Sequence, residues 1–211
     1  MTVADTLQRL IDRRVVAVIR HDDVNAAEDI ARSCVAGGLN AIEITLTTPG
    51  ADQLIATLTA DLPDAAIGAG TVLDESVARQ VIDAGATYMV SPVTDPKVMA
   101  VGRQAGVLTV PGVLTPTEAE MAAQQGAPMV KLFPASVVGR SFVRAIASVL
   151  PHISVMATGG IAEADVGPWL EAGTSAIGIG SDLNRAYTTG GGPEVEALAR
   201  RLTDAVHAVN A

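Results

Sequence analysis

The sequence predicts an α/β protein: a (β/α)8 TIM barrel with an extra helix ahead of the first strand. Three observations predict it. Short apolar runs recur with their starts about 20 to 26 residues apart, the length of one strand, one helix and two tight loops. Eight such runs occur, and no linker or shift in composition divides the 211 residues, so 1–211 reads as a single domain. Eight consecutive strand–helix units favour a closed barrel over a doubly wound sheet.

The predicted strands are 15–20, 41–47, 66–72, 88–92, 108–113, 129–133, 155–158 and 176–180. Helix signals fall between them. Thr115-Pro116-Thr117-Glu118 is a capping box with proline in the first helical position. Thr48-Pro49 and Asp95-Pro96 have the same cap-then-proline form. Gly37-Gly38, Gly85, Gly106, Gly126 and Gly173 each stop a helix just before the next strand. Residues 2–14 form the extra helix, placed to cover the barrel floor. Val195, Leu198, Leu202, Val206 and Val209 share one face of a closing helix over 193–209. Residues 187–192 read as a loose loop.

Composition narrows the function classes. Hydrophobic residues make up 49% but aromatic residues only 2%, so the core is aliphatic. No apolar run approaches the ~20 residues of a membrane span, and the N-terminus carries no export signal. A single cysteine, Cys34, rules out an internal disulfide and fits a reducing cytoplasm. The net charge of −9, with no basic patch, argues against nucleic acid as a partner. It also means that an anionic ligand needs a locally positive site.

Alternation along the strands sorts the candidate site residues. On the second strand Ile42, Ile44 and Leu46 face the helices, so Glu43, Thr45 and Thr47 face inward. On the sixth, Val130 and Leu132 face out, and Lys131 and Phe133 face in. Arg20, Thr71 and Thr158 end the first, third and seventh strands on the inner side. Only two of the fourteen basic residues are lysines, and Lys131 alone lies among apolar neighbours. An arginine there would stay charged; a lysine in an apolar setting can be neutral and nucleophilic. Alternatively its amine reaches water from a strand end. A structural ion pair with Glu43 is the other plain reading, weakened because desolvation offsets the attraction of buried pairs.

The last two strands end in Thr158-Gly159-Gly160 and Gly178-Ile179-Gly180-Ser181, the latter leading into a helix. Glycine loops before a helix N-terminus at these two strand ends suit a phosphate group. His21, His152 and His207 are scattered, and no metal-ligand spacing or serine nucleophile elbow occurs. A mechanism without metal or cofactor is therefore expected.

Taken in order, Glu43-Ile44-Thr45-Leu46-Thr47, Gly68-Ala69-Gly70-Thr71-Val72, Val90-Ser91-Pro92, Pro111-Gly112-Val113, Lys131-Leu132-Phe133-Pro134-Ala135 and Thr158-Gly159-Gly160-Ile161 carry a resemblance. Together they resemble the 2-keto-3-deoxy-6-phosphogluconate (KDPG) / 4-hydroxy-2-oxoglutarate aldolase family, over nearly the whole chain. The resemblance implies a class I, Schiff-base aldolase, usually a homotrimer, acting on a phosphorylated keto acid. It implies Lys131 as the imine-forming residue and Glu43 as the acid/base. Arg20 and Thr71 would hold the pyruvate carboxylate, and Pro92 and Phe133 would wall its methyl side. Gly159, Gly160, Gly180 and Ser181, with Thr158, would bind phosphate.

Thr47 departs from the arginine that some members carry there, which leaves Arg20 as the one inward arginine. Gly180-Ser181-Asp182-Leu183 followed by Arg185 resembles the 6-phosphogalactonate aldolases, whereas the stretch from Glu43 to Thr48 resembles the gluconate type more, so the C4 epimer stays open. So does cleavage of 4-hydroxy-2-oxoglutarate. Two other functions fit the same barrel: a cofactor-free sugar-phosphate isomerase or epimerase, and a non-catalytic binder of phosphorylated ligands.

Overall fold

The computed structural model describes residues 2–210. Its elements alternate along the chain: α1 (Val3–Arg13), β1 (Val15–Ile19), α2 (Val24–Ala36), β2 (Ala41–Thr45), α3 (Ala51–Asp61), β3 (Ala66–Gly70), α4 (Glu75–Asp83), β4 (Tyr88–Val90) and α5 (Pro96–Ala105). Then come β5 (Leu108–Val110), β6 (Gly112–Val113), α6 (Pro116–Gln124), β7 (Met129–Leu132), α7 (Ala135–Val138), α8 (Arg140–Val149), β8 (Ser154–Thr158), α9 (Val166–Glu171), β9 (Ala176–Ile179) and α10 (Ser181–Asn210). The paired strands are all parallel, in the order β5-β4-β3-β2-β1-β9-β8-β7-β6.

The two ends of that order meet in one ribbon. The predicted fifth strand, 108–113, is interrupted at Pro111, which has no N–H to offer a ladder. The Pro111 carbonyl still accepts from Lys131 N at 2.7 Å, and Ser91 N donates to Val110 O at 3.1 Å. The chain thus bonds to β4 on one side of Pro111 and to β7 on the other, which closes the barrel. Gly112 lies so close to the Pro92 carbonyl that a Cβ there would overlap it, so glycine is what lets the two segments cross.

Two apolar layers hold this arrangement. Ile42, Ile44, Val130, Leu132, Ile177 and Ile179 pack outward against the helices. Val16, Ala41, Ala66, Tyr88, Leu108, Met129, Met156 and Ala176 fill the inside. Leu10 of α1 is fully buried against the inner set, with Val3, Leu7 and Ile11 beside it, so α1 closes the N-terminal end of the barrel as predicted. Alternation therefore sorts β2 and β7 into the faces expected of them.

The capping box at Thr115 and Glu118 forms, and Asp95 caps α5 through Lys97 N at 2.7 Å. Thr48-Pro49 does not start a helix. Its Thr48 hydroxyl instead accepts from His21 N, and α3 begins at Ala51 after Gly50, whose φ is +69°. Most strands end one or two residues earlier than predicted, because the chain turns at the barrel mouth; Thr48 N already donates back to Thr45 O. The loose loop expected over 187–192 is mostly helix. α10 runs through it and breaks only at Gly190 and Gly191, where the backbone leaves helical angles. No helix among the described residues is long and apolar enough to cross a membrane.

Candidate active site

Lys131 and Glu43 reach each other across the barrel interior. Lys131 Nζ lies 3.4 Å from Glu43 Oε1, with both side chains almost wholly buried. That separation exceeds the roughly 2.7–2.9 Å of a tightly closed charged pair. Glu43 Oε2 has no protein hydrogen-bond partner among the described residues. The inner face of β3 makes room for the carboxylate: a Cβ on Gly70 would overlap Glu43 Oε1. Phe133 follows directly after β7, with Lys131 Nζ 5.3 Å from its ring centroid, within cation–π range. The amine thus has an acid on one side and an aromatic wall on another.

A second group of predicted residues lines one cavity at the C-terminal ends of β1, β8 and β9. Arg20, Thr158, Gly159, Gly160, Gly180 and Ser181 border it, and its volume is about 340 Å³. Gly159 and Gly160 have φ of +100° and +73°, conformations open to glycine at low cost. A Cβ on Gly159 would lie 3.2 Å from the Phe133 ring, so this glycine lets the loop after β8 approach the aromatic wall. The loop is tied down by Ser136 N, which donates to Gly159 O at 3.0 Å. The Thr158 hydroxyl is buried without a protein partner among the described residues.

The remaining expectations are placed differently. Pro92 and Phe133 line another cavity, of about 360 Å³, with Val93, Leu114 and Met121. Thr71 borders neither cavity. It ends β3 with a φ of +64°, a strained conformation for a β-branched residue, and such strain concentrates at functional sites. Thr47 is exposed, and its hydroxyl lies 3.0 Å from that of buried Thr45. Burial pushes the Cys34 thiol up to about 12, in keeping with a core role.

Asn184 went unnoticed in the sequence. Its side-chain amide donates to the Arg20 carbonyl at 2.8 Å, tying α10 to the end of β1, and it borders the same cavity as Arg20. A lone Asn on a helix has no pattern that would reveal such a tie across 164 positions.

An acid and a lysine buried together inside a barrel, beside a glycine-lined cavity, suit amine nucleophilic chemistry on a phosphorylated carbonyl compound. Comparisons with known proteins decide the family. A family model described as KDPG and KHG aldolase matches residues 7–194. The chain belongs to this aldolase family. It is 36% identical over 191 residues to a probable 2-dehydro-3-deoxy-6-phosphogalactonate aldolase of Rhizobium meliloti, covering 90% of each chain. It is 35% identical over 162 residues to the 2-dehydro-3-deoxy-phosphogluconate aldolase of Treponema pallidum, covering 76% of each. It superposes on the KDPG aldolase of Legionella pneumophila, solved with pyruvate captured at low pH as a covalent carbinolamine intermediate. That TM-score is 0.86 at 26% identity, over 96% of this chain and 98% of the other. The protein is thus an aldolase of the Schiff-base class, a carbon–carbon lyase.

Gly70→Ala is expected to displace the Glu43 carboxylate. Turnover should fall on the order of 10²-fold, since small misplacements of reacting groups cost that much. Overpacking should cost about 1–3 kcal/mol of stability, read from thermal melts. A variant with wild-type kcat would show that the carboxylate does not depend on this face of β3.

Proposed function

We propose that this chain cleaves 2-keto-3-deoxy-6-phosphogluconate to pyruvate and glyceraldehyde 3-phosphate through an imine on Lys131. The observation that carries the reading is the buried Lys131–Glu43 pair at 3.4 Å, set on parallel strands of a barrel fold whose chemistry sits at the C-terminal strand ends. Lys131, uncharged, attacks the C2 ketone. Glu43 moves the protons as the carbinolamine loses water to give the protonated imine. Glu43 then takes the C4 hydroxyl proton. The C3–C4 bond breaks, and its electron pair flows into the imine to give an enamine. Glyceraldehyde 3-phosphate leaves, C3 is protonated, and water releases pyruvate from Lys131. The imine does the work of an electron sink that a cofactor performs elsewhere. Borohydride reduction in the presence of pyruvate, followed by mass spectrometry, tests the assignment. A stable adduct on Lys131 is expected; its absence from that residue would overturn the reading and favour an isomerase or a binding protein.

A second reading concerns the C4 epimer. The galactonate-type relative aligns over 90% of its length and the gluconate-type one over 76%. The Ser181-Asp182-Leu183 start of α10 and Arg185 also favour the galactonate type. Cleavage rates on the two epimers, measured side by side, decide between them. The same assay with 4-hydroxy-2-oxoglutarate tests that second substrate.

Thr158, Gly159, Gly160, Gly180 and Ser181 are proposed to hold the phosphate, and Pro92, Phe133 and Thr71 to bound the pyruvate end. Arg20 shares the glycine-lined cavity, which favours a phosphate contact over the carboxylate contact implied by resemblance. Arg20→Ala should then raise KM for the phosphorylated substrate about 10- to 100-fold, the loss of one or two charge-assisted hydrogen bonds. KM for pyruvate in exchange assays should stay within about twofold of wild type. A matching rise for pyruvate would return Arg20 to the carboxylate.

A homotrimer and a cytoplasmic location complete the proposal. Val93 and Met121, each about half exposed on the rim of the Pro92–Phe133 cavity, support self-association on that side. Light scattering reads the stoichiometry directly.

A further inference from the structure

Tyr88 lies on β4 with its ring inside the barrel, fully buried, and its hydroxyl has no protein hydrogen-bond partner among the described residues. Glu43 Oε2 is in the same position. Two buried polar atoms left open in one interior call for an explanation, since most such groups are paired. A phenylalanine would fill the space without that cost.

The two side chains share a wall. A Cβ on Gly68 would lie 2.5 Å from Tyr88 Cζ, and one on Gly70 would overlap Glu43 Oε1. Gly68 and Gly70 are two residues apart on the same face of β3, so they are about 7 Å apart along the strand. The phenol end and the carboxylate therefore occupy consecutive layers against a strand stripped of side chains. The two groups are close enough for the Glu43 charge to act on the phenol, and solvent between the layers can join them by hydrogen bonds. Gly68 is also the register partner of both Glu43 and Tyr88, which sets the three strands side by side at this level.

We propose that Tyr88 is a positioning residue for Glu43, its hydroxyl donating through intervening solvent to Oε2 from beneath the carboxylate. The inference rests on Glu43 being the acid/base of the reaction. Lys131 then engages Oε1, and Tyr88 steadies the other oxygen, so the carboxylate presents one fixed face to the substrate. Burial, and secondly the charge of Glu43, push the phenol well above its ordinary value, so Tyr88 stays a donor throughout the working pH range. The ionisable groups that face Glu43 are Lys131 from β7 and Tyr88 from β4; the neighbouring positions of β1 and β3 are Val18, Gly68 and Gly70.

Tyr88→Phe keeps the ring and removes the donor. It is expected to lower kcat roughly tenfold, a fraction of the roughly 10²–10⁴-fold that a proton-transfer group contributes. KM should change less than about twofold. Losing a donor to the carboxylate favours its protonated form, so the acid limb of the kcat profile should move to higher pH. Methyl-proton exchange of pyruvate in deuterated buffer should slow in step with kcat. In a Glu43→Gln background the same change should have no further effect on exchange.

Wild-type kcat and profile in Tyr88→Phe would overturn the proposal. So would a loss of activity with an unshifted acid limb, or an equal fractional loss in the Glu43→Gln background, both signs of a packing role only. Unchanged exchange in Glu43→Gln alone would instead remove Glu43 from its role, and the Tyr88 inference with it.

Discussion

Lys131→Ala is expected to lower turnover on the order of 10⁴-fold or more, because the proposed mechanism puts on this lysine the covalent intermediate that splits the reaction into easier steps. The borohydride-trapped adduct should vanish with it. The lysine is buried opposite Glu43, so its removal leaves a carboxylate in the interior without its nearest polar partner. Stranding a buried charge costs about 3–5 kcal/mol when the charge persists. The carboxylate can limit that cost by taking up a proton, and the variant is expected to melt lower yet stay folded. Circular dichroism and a thermal melt check the fold, and steady-state assays check the loss. Near-wild-type turnover in a folded Lys131→Ala protein would reject the imine assignment.

Glu43→Gln should have the next largest effect, and a different one. The amide keeps the shape of the side chain, so the barrel interior stays filled, but it can no longer accept and return protons. Imine formation and methyl-proton exchange should each slow by about 10²–10⁴-fold. Lys131 is still present, so the borohydride adduct should still form, only more slowly. That contrast separates the two residues: one variant lacks the covalent intermediate, the other reaches it late. Exchange at the wild-type rate in deuterated buffer would take Glu43 out of the mechanism.

Much of the barrel was legible because its rules are local. Strand starts repeat, alternation splits Ile42 and Ile44 from Glu43, and Thr115 and Glu118 cap a helix with residues three apart. Local signals also misled. Thr48-Pro49 reads as a helix cap, but its hydroxyl is taken by the His21 amide, 27 residues away in sequence. The stretch 187–192 reads as a loop, yet helix covers it up to the break at Gly190 and Gly191, because α10 packs on α9 and α2. Pro111 did not mark a break within a strand, since only the pairing partners on either side reveal where the barrel closes.

By itself the sequence determined the strand–helix rhythm, the inward placement of Glu43 and Lys131, and the glycine turns after β8 and β9. Each depends on neighbours a few positions away. Tertiary structure decided how far the amine stands from the acid, which cavity Arg20 borders, and that Tyr88 and Glu43 share the bare face of β3. Those are distances between strands remote in the chain. Packing sets them once the ring closes, and no spacing along the sequence encodes them.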